Sequence, residues 1–109
     1  MVTGGWITQG DRERWQREAV RELAAILDAH PGLPLIAWTV GPAGGSLAGR
    51  ADGPRDAFAA WQQALGLDDL LEVPAGDGSA IWLRARARRG GIQVTVTATV
   101  TAGETGTAP

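Results

Sequence analysis

The most constraining feature of this sequence is a pair of alternating segments on either side of Gly90-Gly91. Between Ile81 and Ala87, apolar residues at odd positions alternate with tryptophan and arginine. Between Ile92 and Val100, apolar residues at even positions alternate with glutamine and threonine. A period of two indicates strands with one buried face, and two glycines between such strands favour a two-residue turn. The segment therefore predicts a β-hairpin.

The predicted turn also fixes which residues of this hairpin face each other. Ala87 is expected opposite Val94, and Ile81 opposite Val100, which places every apolar side chain on one face. The other face is predicted to carry a row of side chains that we treat as candidate binding residues: Trp82, Arg84, Arg86, Arg88 and Arg89.

A helix is predicted from about Asp11 to His30, because apolar residues recur there at spacings of three and four. Either Thr8 or Asp11 could supply the N-cap, and Gly10 in the intervening turn favours Asp11. His30 is followed by Pro31, which ends the helix. The predicted apolar stripe consists of Trp15, Ala19, Leu23, Ile26, Leu27 and His30.

A second hairpin is predicted from strands at 35–40 and 46–51, joined by the turn-forming segment 41–45. If Val40 lies opposite Leu47, the ring of Trp38 lies over Gly49, which is a plausible fit of a large side chain on a small one.

A second helix is expected to open at 52–54 and to end at Gly66. Its apolar stripe is Phe58, Trp61 and Leu65. Segment 67–73 mixes apolar residues with three acids and is interpreted as a short turn of helix or an irregular connection.

These elements predict an α+β fold of order helix-hairpin-helix-hairpin (αββαββ), a four-stranded antiparallel sheet with two helices packed on one face. Residues 1–101 would form a single domain, and 102–109 a flexible C-terminal tail.

The orientation of Trp38 determines which residues line the open face of the sheet. If Trp38 points inward, Leu35, Ala37 and Thr39 lie beside the arginines. If it points outward, a large apolar patch predicts a dimer through the sheet. The inward orientation is favoured.

Composition removes several classes of chemistry. The 109 residues contain no lysine, cysteine or tyrosine, but ten arginines, five tryptophans and one histidine. No disulfide, thiolate metal site or redox switch can form. No signal peptide or run of about 20 apolar residues is evident, so we expect a cytoplasmic protein with no membrane partner. The alanine, glycine and arginine content is typical of a GC-rich genome, whether bacterial or phage.

The candidate catalytic residues are few. His30 could act as a base with Asp68, Asp69 or Glu72, which is the basis of an enzyme alternative. More simply, His30 caps a helix end, and these acids with Asp77 form a solvated loop. We therefore expect no catalysis, no metal and no cofactor.

Tryptophan and arginine are the residues that most often anchor protein interfaces. The chain is therefore interpreted as a non-catalytic protein-binding or assembly module acting through the outer sheet face, either with another protein or with itself as a homodimer. Trp38 is a further candidate binding residue, and it joins the row if it faces outward. The alternative is nucleic-acid binding along the arginines, with Trp82 stacking on a base. The net charge of −2 argues against that alternative.

Overall fold

A computed structural model describes residues 8–41 and 45–101, and within them it contains two helices and five strands. Along the chain these are α1 (Gln9–Ala29), β1 (Ala37–Val40), β2 (Ser46–Arg50), α2 (Arg55–Leu65), β3 (Asp68–Pro74), β4 (Ala80–Arg89) and β5 (Ile92–Thr101). The fold is α+β, as predicted. The order is αββαβββ, so the predicted αββαββ order lacks one strand. The predicted tail, 102–109, lies outside the described residues, and the single-domain boundary stays a prediction.

The five strands form one mixed sheet in the order β1-β2-β5-β4-β3. Every neighbouring pair is antiparallel except β2 and β5, which are parallel. The predicted four-stranded antiparallel sheet is therefore wrong in strand number and in one pairing. Both errors have one cause. Each successive element reverses the chain, so the additional strand β3 reverses the direction in which β5 meets β2.

Strand β3 occupies the segment that was expected to be irregular. Between the pairs Asp68–Arg86 and Leu71–Arg84, two β3 residues face a single residue of β4, which is a β-bulge. Within the bulge, Asp69 has a φ of 59°, in the left-handed region. The bulge breaks the alternation along the strand, and Pro74 ends it at the sheet edge, where proline is tolerated.

Both predicted hairpin registers are confirmed. In the first hairpin, Val40 lies opposite Leu47 and Trp38 opposite Gly49. The second hairpin pairs Ala87 with Val94 and Ile81 with Val100. Gly90 and Gly91 have φ values of 59° and 86°, as a tight two-residue turn with the twist of the flanking strands requires.

The core lies between the helices and one face of the sheet. Both helices contribute to it, so both lie on that face, as predicted. In α2, the stripe of Phe58, Trp61 and Leu65 is buried. The buried apolar residues that complete the core are Ala19, Ile26, Leu47, Ala51, Leu67, Leu83, Ala85, Ile92, Val94, Val96, Ala98 and Val100.

The N-cap of α1 is Thr8, not the favoured Asp11. The Thr8 hydroxyl accepts from the backbone N–H of Asp11 at 3.0 Å, and the Asp11 carboxylate accepts from the backbone N–H of Thr8 at 3.1 Å. These two reciprocal bonds form a capping box. The helix therefore begins before Gly10, which lies in its first turn. The helix ends at His30 and α2 at Gly66, as predicted.

Trp38 points inward, toward the helices. Its ring meets that of Trp61 edge-on, with centroids 5.5 Å apart and an interplanar angle of 78°. The Nε1 of Trp61 donates to the carbonyl of Pro34 at 2.7 Å, which holds the segment before β1 against α2. The strand begins at Ala37 instead of Leu35, whose side chain is fully exposed. Neither described helix has the length and apolar content needed to cross a membrane.

Candidate protein-binding face

The sheet face away from the helices is open, and the strand registers define its composition. Residues directly opposite each other in neighbouring strands share a face, and successive residues of one strand point to opposite faces. Leu47, Val94 and Leu83 point toward the helices, so the residues next to each of them along its strand point outward. One cross-sheet row of this outer face consists of Leu71, Arg84, Thr97, Arg50 and Ala37.

An apolar cluster occupies the β3 side of the outer face. Trp82 lies opposite Val73 of β3 and opposite Thr99 of β5. Leu71, two residues before Val73, lies on the same face. The exposed fractions are 37% for Trp82, 44% for Val73 and 38% for Leu71. We call these three residues the Trp82 cluster. It is an exposed apolar surface with one large ring at its centre.

Arg84 borders the Trp82 cluster, because it lies opposite Leu71 and two positions from Trp82 on the same strand. Its side chain is half-buried, and it forms no ion pair with any described residue. Its Nε is buried and has no hydrogen-bond partner. A buried donor without a partner is uncommon in folded proteins. Arg84 therefore has hydrogen-bonding capacity that the described part of the chain does not use.

The other arginines of the outer face have partners within the chain. Arg86 binds the Asp69 carboxylate at 2.8 Å, and Arg50 binds Asp52 at 2.6 Å. Arg88 donates to the carbonyl of Gly91 at 3.3 Å. Arg84, Arg86 and Arg88 therefore form a row as predicted, but the charge of Arg86 and that of the neighbouring Arg50 are each paired with a carboxylate.

Arg89 does not belong to this row. It follows Arg88 directly, and successive residues of a strand point to opposite faces. On the helix side, its Nε binds the Glu22 carboxylate of α1 at 3.0 Å. The prediction that Arg89 continues the row is therefore wrong, and this residue links α1 to the end of β4.

Trp38 also lies away from the outer face, packed on Trp61. It forms one wall of a groove of about 380 Å³ on the helix side of β1, together with Leu27, Ile36 and Trp61. The Nε1 of Trp38 is buried and has no hydrogen-bond partner in residues 8–41 and 45–101. The candidate residues therefore divide between two faces, with Trp82, Arg84, Arg86 and Arg88 outside.

His30 and the acidic segment lie at opposite edges of the molecule. His30 lines the same groove beside β1, whereas Asp68, Asp69 and Glu72 belong to β3. Three strands separate β1 from β3. The arrangement needed for a histidine-carboxylate pair is therefore not formed. In residues 8–41 and 45–101, no three His, Asp or Glu side chains gather closely enough to hold a metal ion.

Three of the four acids expected in a solvated loop, namely Asp69, Glu72 and Asp77, have partners within the chain. Glu72 points to the helix side and binds Arg55 at the start of α2 at 3.0 Å. Asp77 accepts from the hydroxyl of Ser79 at 2.7 Å and from its backbone N–H at 2.9 Å. These two hydrogen bonds lower the pKa of Asp77. The acids therefore hold β3 and the following turn in place.

Sequence reasoning missed Leu71 and Val73, which complete the outer apolar surface. The usable signal was the apolar pair spaced by two before Pro74, but the acids and the bulge obscured it. A scan against the models of known protein families finds no match to this chain, and a search of curated proteins finds none either. Its role must therefore be inferred from its own residues.

Proposed function

We propose that this chain is a non-catalytic protein-binding module whose partner docks on the Trp82 cluster and Arg84. The observation that carries the proposal is the position of an exposed tryptophan beside an arginine that forms no ion pair with any described residue, on a sheet face that neither helix covers. Tryptophan and arginine contribute most of the binding energy in many protein interfaces.

The chemistry of the face indicates the kind of partner. An apolar side chain would pack on Trp82 between Leu71 and Val73, and its burial would remove exposed apolar surface from water. A carboxylate beside it would accept from the guanidinium of Arg84, whose fork geometry favours two parallel hydrogen bonds. The partner is therefore expected to present an apolar residue next to an acidic one.

Nucleic-acid binding is less well supported by the same residues. Arg86 and Arg50 are bound to carboxylates, so each would have to leave its partner before contacting a phosphate. The threonines of β5 are uncharged, and the chain carries a net charge of −2. Nonspecific binding to nucleic acid depends on a dense positive surface that releases counterions.

A photo-crosslinking experiment tests the proposal and identifies the partner at the same time. A benzophenone amino acid replaces Val73 in cells that naturally make the protein, and the matched control carries it at Gln63, an exposed residue of α2. We expect a discrete adduct with one protein from position 73 and none from position 63. Identical adducts from both positions, or none from either, would overturn the proposal.

Affinity measurements then test the individual residues. For the partner identified by crosslinking, Trp82→Ala and Arg84→Glu should each weaken binding about tenfold or more, because truncated anchor residues commonly cost over 1 kcal/mol. Gln63→Ala should leave the affinity unchanged. Circular dichroism of each variant checks that the fold is retained. Unchanged affinity in both outer-face variants would contradict the proposed docking site.

A further inference from the structure

We infer that β1 is a dimerisation edge, at which two copies of this chain join antiparallel and merge their sheets. The inference concerns a surface separate from the proposed docking face, and it does not depend on that proposal. It rests on the hydrogen-bonding pattern of β1, on the composition of the edge and on the apolar flank of α1 beside it.

The β1–β2 ladder shows which backbone groups of β1 remain unpaired. Gly41 donates its N–H to the carbonyl of Ser46 at 3.0 Å, so this pair is hydrogen-bonded. Hydrogen-bonded pairs alternate along an antiparallel ladder, which makes Thr39–Ala48 the next such pair. The backbone N–H and C=O groups of Trp38 and Val40 consequently point away from β2. Within residues 8–41 and 45–101, β1 pairs with no other strand.

The two edges of the sheet differ in their protection. The β3 edge carries three acids, a bulge and a terminal proline, and all of these hinder strand addition. The segment from 33 to 41 contains no charged residue, and β1 itself has neither a bulge nor a proline. β1 is short, with four residues, but an uncharged edge without a bulge or a proline favours pairing with another strand.

The apolar surface continues from β1 onto α1. The buried stripe of this helix includes Ala19 and Ile26. Glu22, on one side of that stripe, binds Arg89 of β4, which shows that this side faces the interior strands. Val20 and Leu27 lie on the other side, seven residues apart and therefore aligned. They are 49% and 45% exposed.

Leu27 connects this helix flank with the β1 edge. It lines the groove of about 380 Å³ together with Ile36 and Trp38, and the fully exposed Leu35 lies at the same place. The flank of α1 and the open edge therefore adjoin at the groove, where His30 is the titratable residue of the lining. Burial of the flank and the edge would cover unpaired backbone groups and exposed apolar side chains together.

A second copy of the chain fits this surface by symmetry. In an antiparallel β1 pair, the free backbone N–H and C=O groups of Trp38 bond to those of Val40 in the second copy, and the groups of Val40 bond to those of Trp38 in the second copy. Thr39 then lies opposite Thr39 of the second copy, on the two-fold axis. This register avoids placing two Trp38 rings opposite each other. The two α1 helices then lie side by side, with their Val20 and Leu27 flanks facing. Because Val20, Leu27 and residues 33–41 carry no charge, these parts of the two copies do not repel each other.

Sedimentation equilibrium of the full chain with the variant Thr39→Arg tests the inference. The side chain of Thr39 is exposed, so the change should leave the isolated copy folded. In the dimer it would place two positive charges directly opposite each other, which should weaken dimerisation about tenfold or more. The matched control is Thr99→Arg, which adds the same charge to an exposed residue of the outer face, away from the edge.

We expect the unmodified chain and Thr99→Arg to be dimers, and Thr39→Arg to dissociate. A monomeric unmodified chain would overturn the inference, and so would a dimer broken by Thr99→Arg but not by Thr39→Arg. Neither result would affect the docking site at Trp82, which the crosslinking experiment tests separately.

Disulfide formation provides a second test, because the chain has no cysteine of its own. Facing residues of a non-hydrogen-bonded pair have Cα atoms about 4.5 Å apart, within the range that a disulfide spans. Thr39→Cys should therefore form a covalent dimer rapidly under mild oxidation, and Thr99→Cys should not. Equal rates in the two variants would contradict the β1 edge as the contact.

Discussion

Trp38 lies directly opposite Gly49 at a position in the β1–β2 ladder where facing backbones come closest. A Cβ added to Gly49 would stand 3.1 Å from Cζ3 of the Trp38 ring and 2.8 Å from Cδ1 of Ile36. The indole therefore occupies the space that a side chain at position 49 would need.

Replacing Gly49 with valine should destabilise the fold. Overpacking a closely packed site typically costs about 1–3 kcal/mol, since neighbouring side chains must leave their preferred rotamers. Chemical denaturation followed by circular dichroism measures the free energy of unfolding. The control is Ala48→Val, because Ala48 lies on the outer face of the same strand and is exposed. Equal stability of the two variants would show that the indole moves aside freely.

The capping box at the start of α1 should contribute to stability. Thr8→Ala removes the hydroxyl that accepts from the backbone of Asp11, and loss of such an N-cap costs about 1 kcal/mol. Thr8→Ser retains the acceptor and should stay close to the original stability. Thermal unfolding of the three proteins compares them. A Thr8→Ala protein as stable as the original would indicate that the first turn contributes little.

Acid should weaken the same cap. The backbone N–H of Thr8 is the main cause that lowers the pKa of Asp11 below its ordinary value of 3.8, and the guanidinium of Arg14 adds to it. Because the pKa of Asp11 is lower in the folded state than in the unfolded chain, its ionised carboxylate stabilises the fold at pH values above the ordinary pKa. The contribution is lost as the pH falls through the folded pKa.

We therefore expect the stability difference between the original chain and Asp11→Asn to be constant at neutral pH and to shrink below about pH 4. Denaturant midpoints measured at several pH values provide the comparison. A difference that is the same at every pH would contradict a stabilising role for the ionised carboxylate.

Asp69 combines a left-handed backbone conformation with an ion pair to Arg86, and substitutions can separate the two. Asp69→Gly removes the ion pair but accepts a φ of 59° without strain, so its effect should be within about 0.5 kcal/mol. Asp69→Ala loses the ion pair and retains the strain, with an expected cost of about 1 kcal/mol more than glycine. Unfolding free energies of both variants test this order. The reverse order would contradict a strained backbone at position 69.

The local charge pairing on the outer face predicts weak nucleic-acid binding. We expect no mobility shift of single-stranded or duplex probes at about 50 mM salt. A shift that disappears at higher salt and in Arg84→Glu would instead favour the nucleic-acid alternative.

The hairpins were predictable because local chemistry determines them. Gly90-Gly91 accepts the turn conformation, and the alternation between Ile81 and Val100 specifies the register on both sides. In contrast, β3 is an exposed edge strand with a bulge, so neither burial nor a regular period marks it in the sequence. Because that strand was missed, the sheet was predicted to be antiparallel throughout, whereas β2 and β5 pair in parallel.

The candidate site was predictable where it lies on one strand, and not where it depends on pairing between strands. Alternation along β4 placed Trp82 and Arg84 together on the outer face, and the structure confirms that placement. Leu71 and Val73 reach the same surface only through strand pairing across the sheet, which the sequence does not display. Arg89 was misplaced because it was grouped by residue type with Arg88, although neighbouring strand residues face opposite ways.

The position of β5 has a consequence for how the protein is made. This strand is the latest of the described elements to leave the ribosome, yet it lies in the middle of the sheet, between β2 and β4. Until it emerges, the two halves of the sheet have no common neighbour, and α2 lacks the surface on which it packs. A nascent chain stopped before Ile92 is therefore expected to lack the central strand that joins β2 to β4, so that the sheet assembles only after β5 has been synthesised.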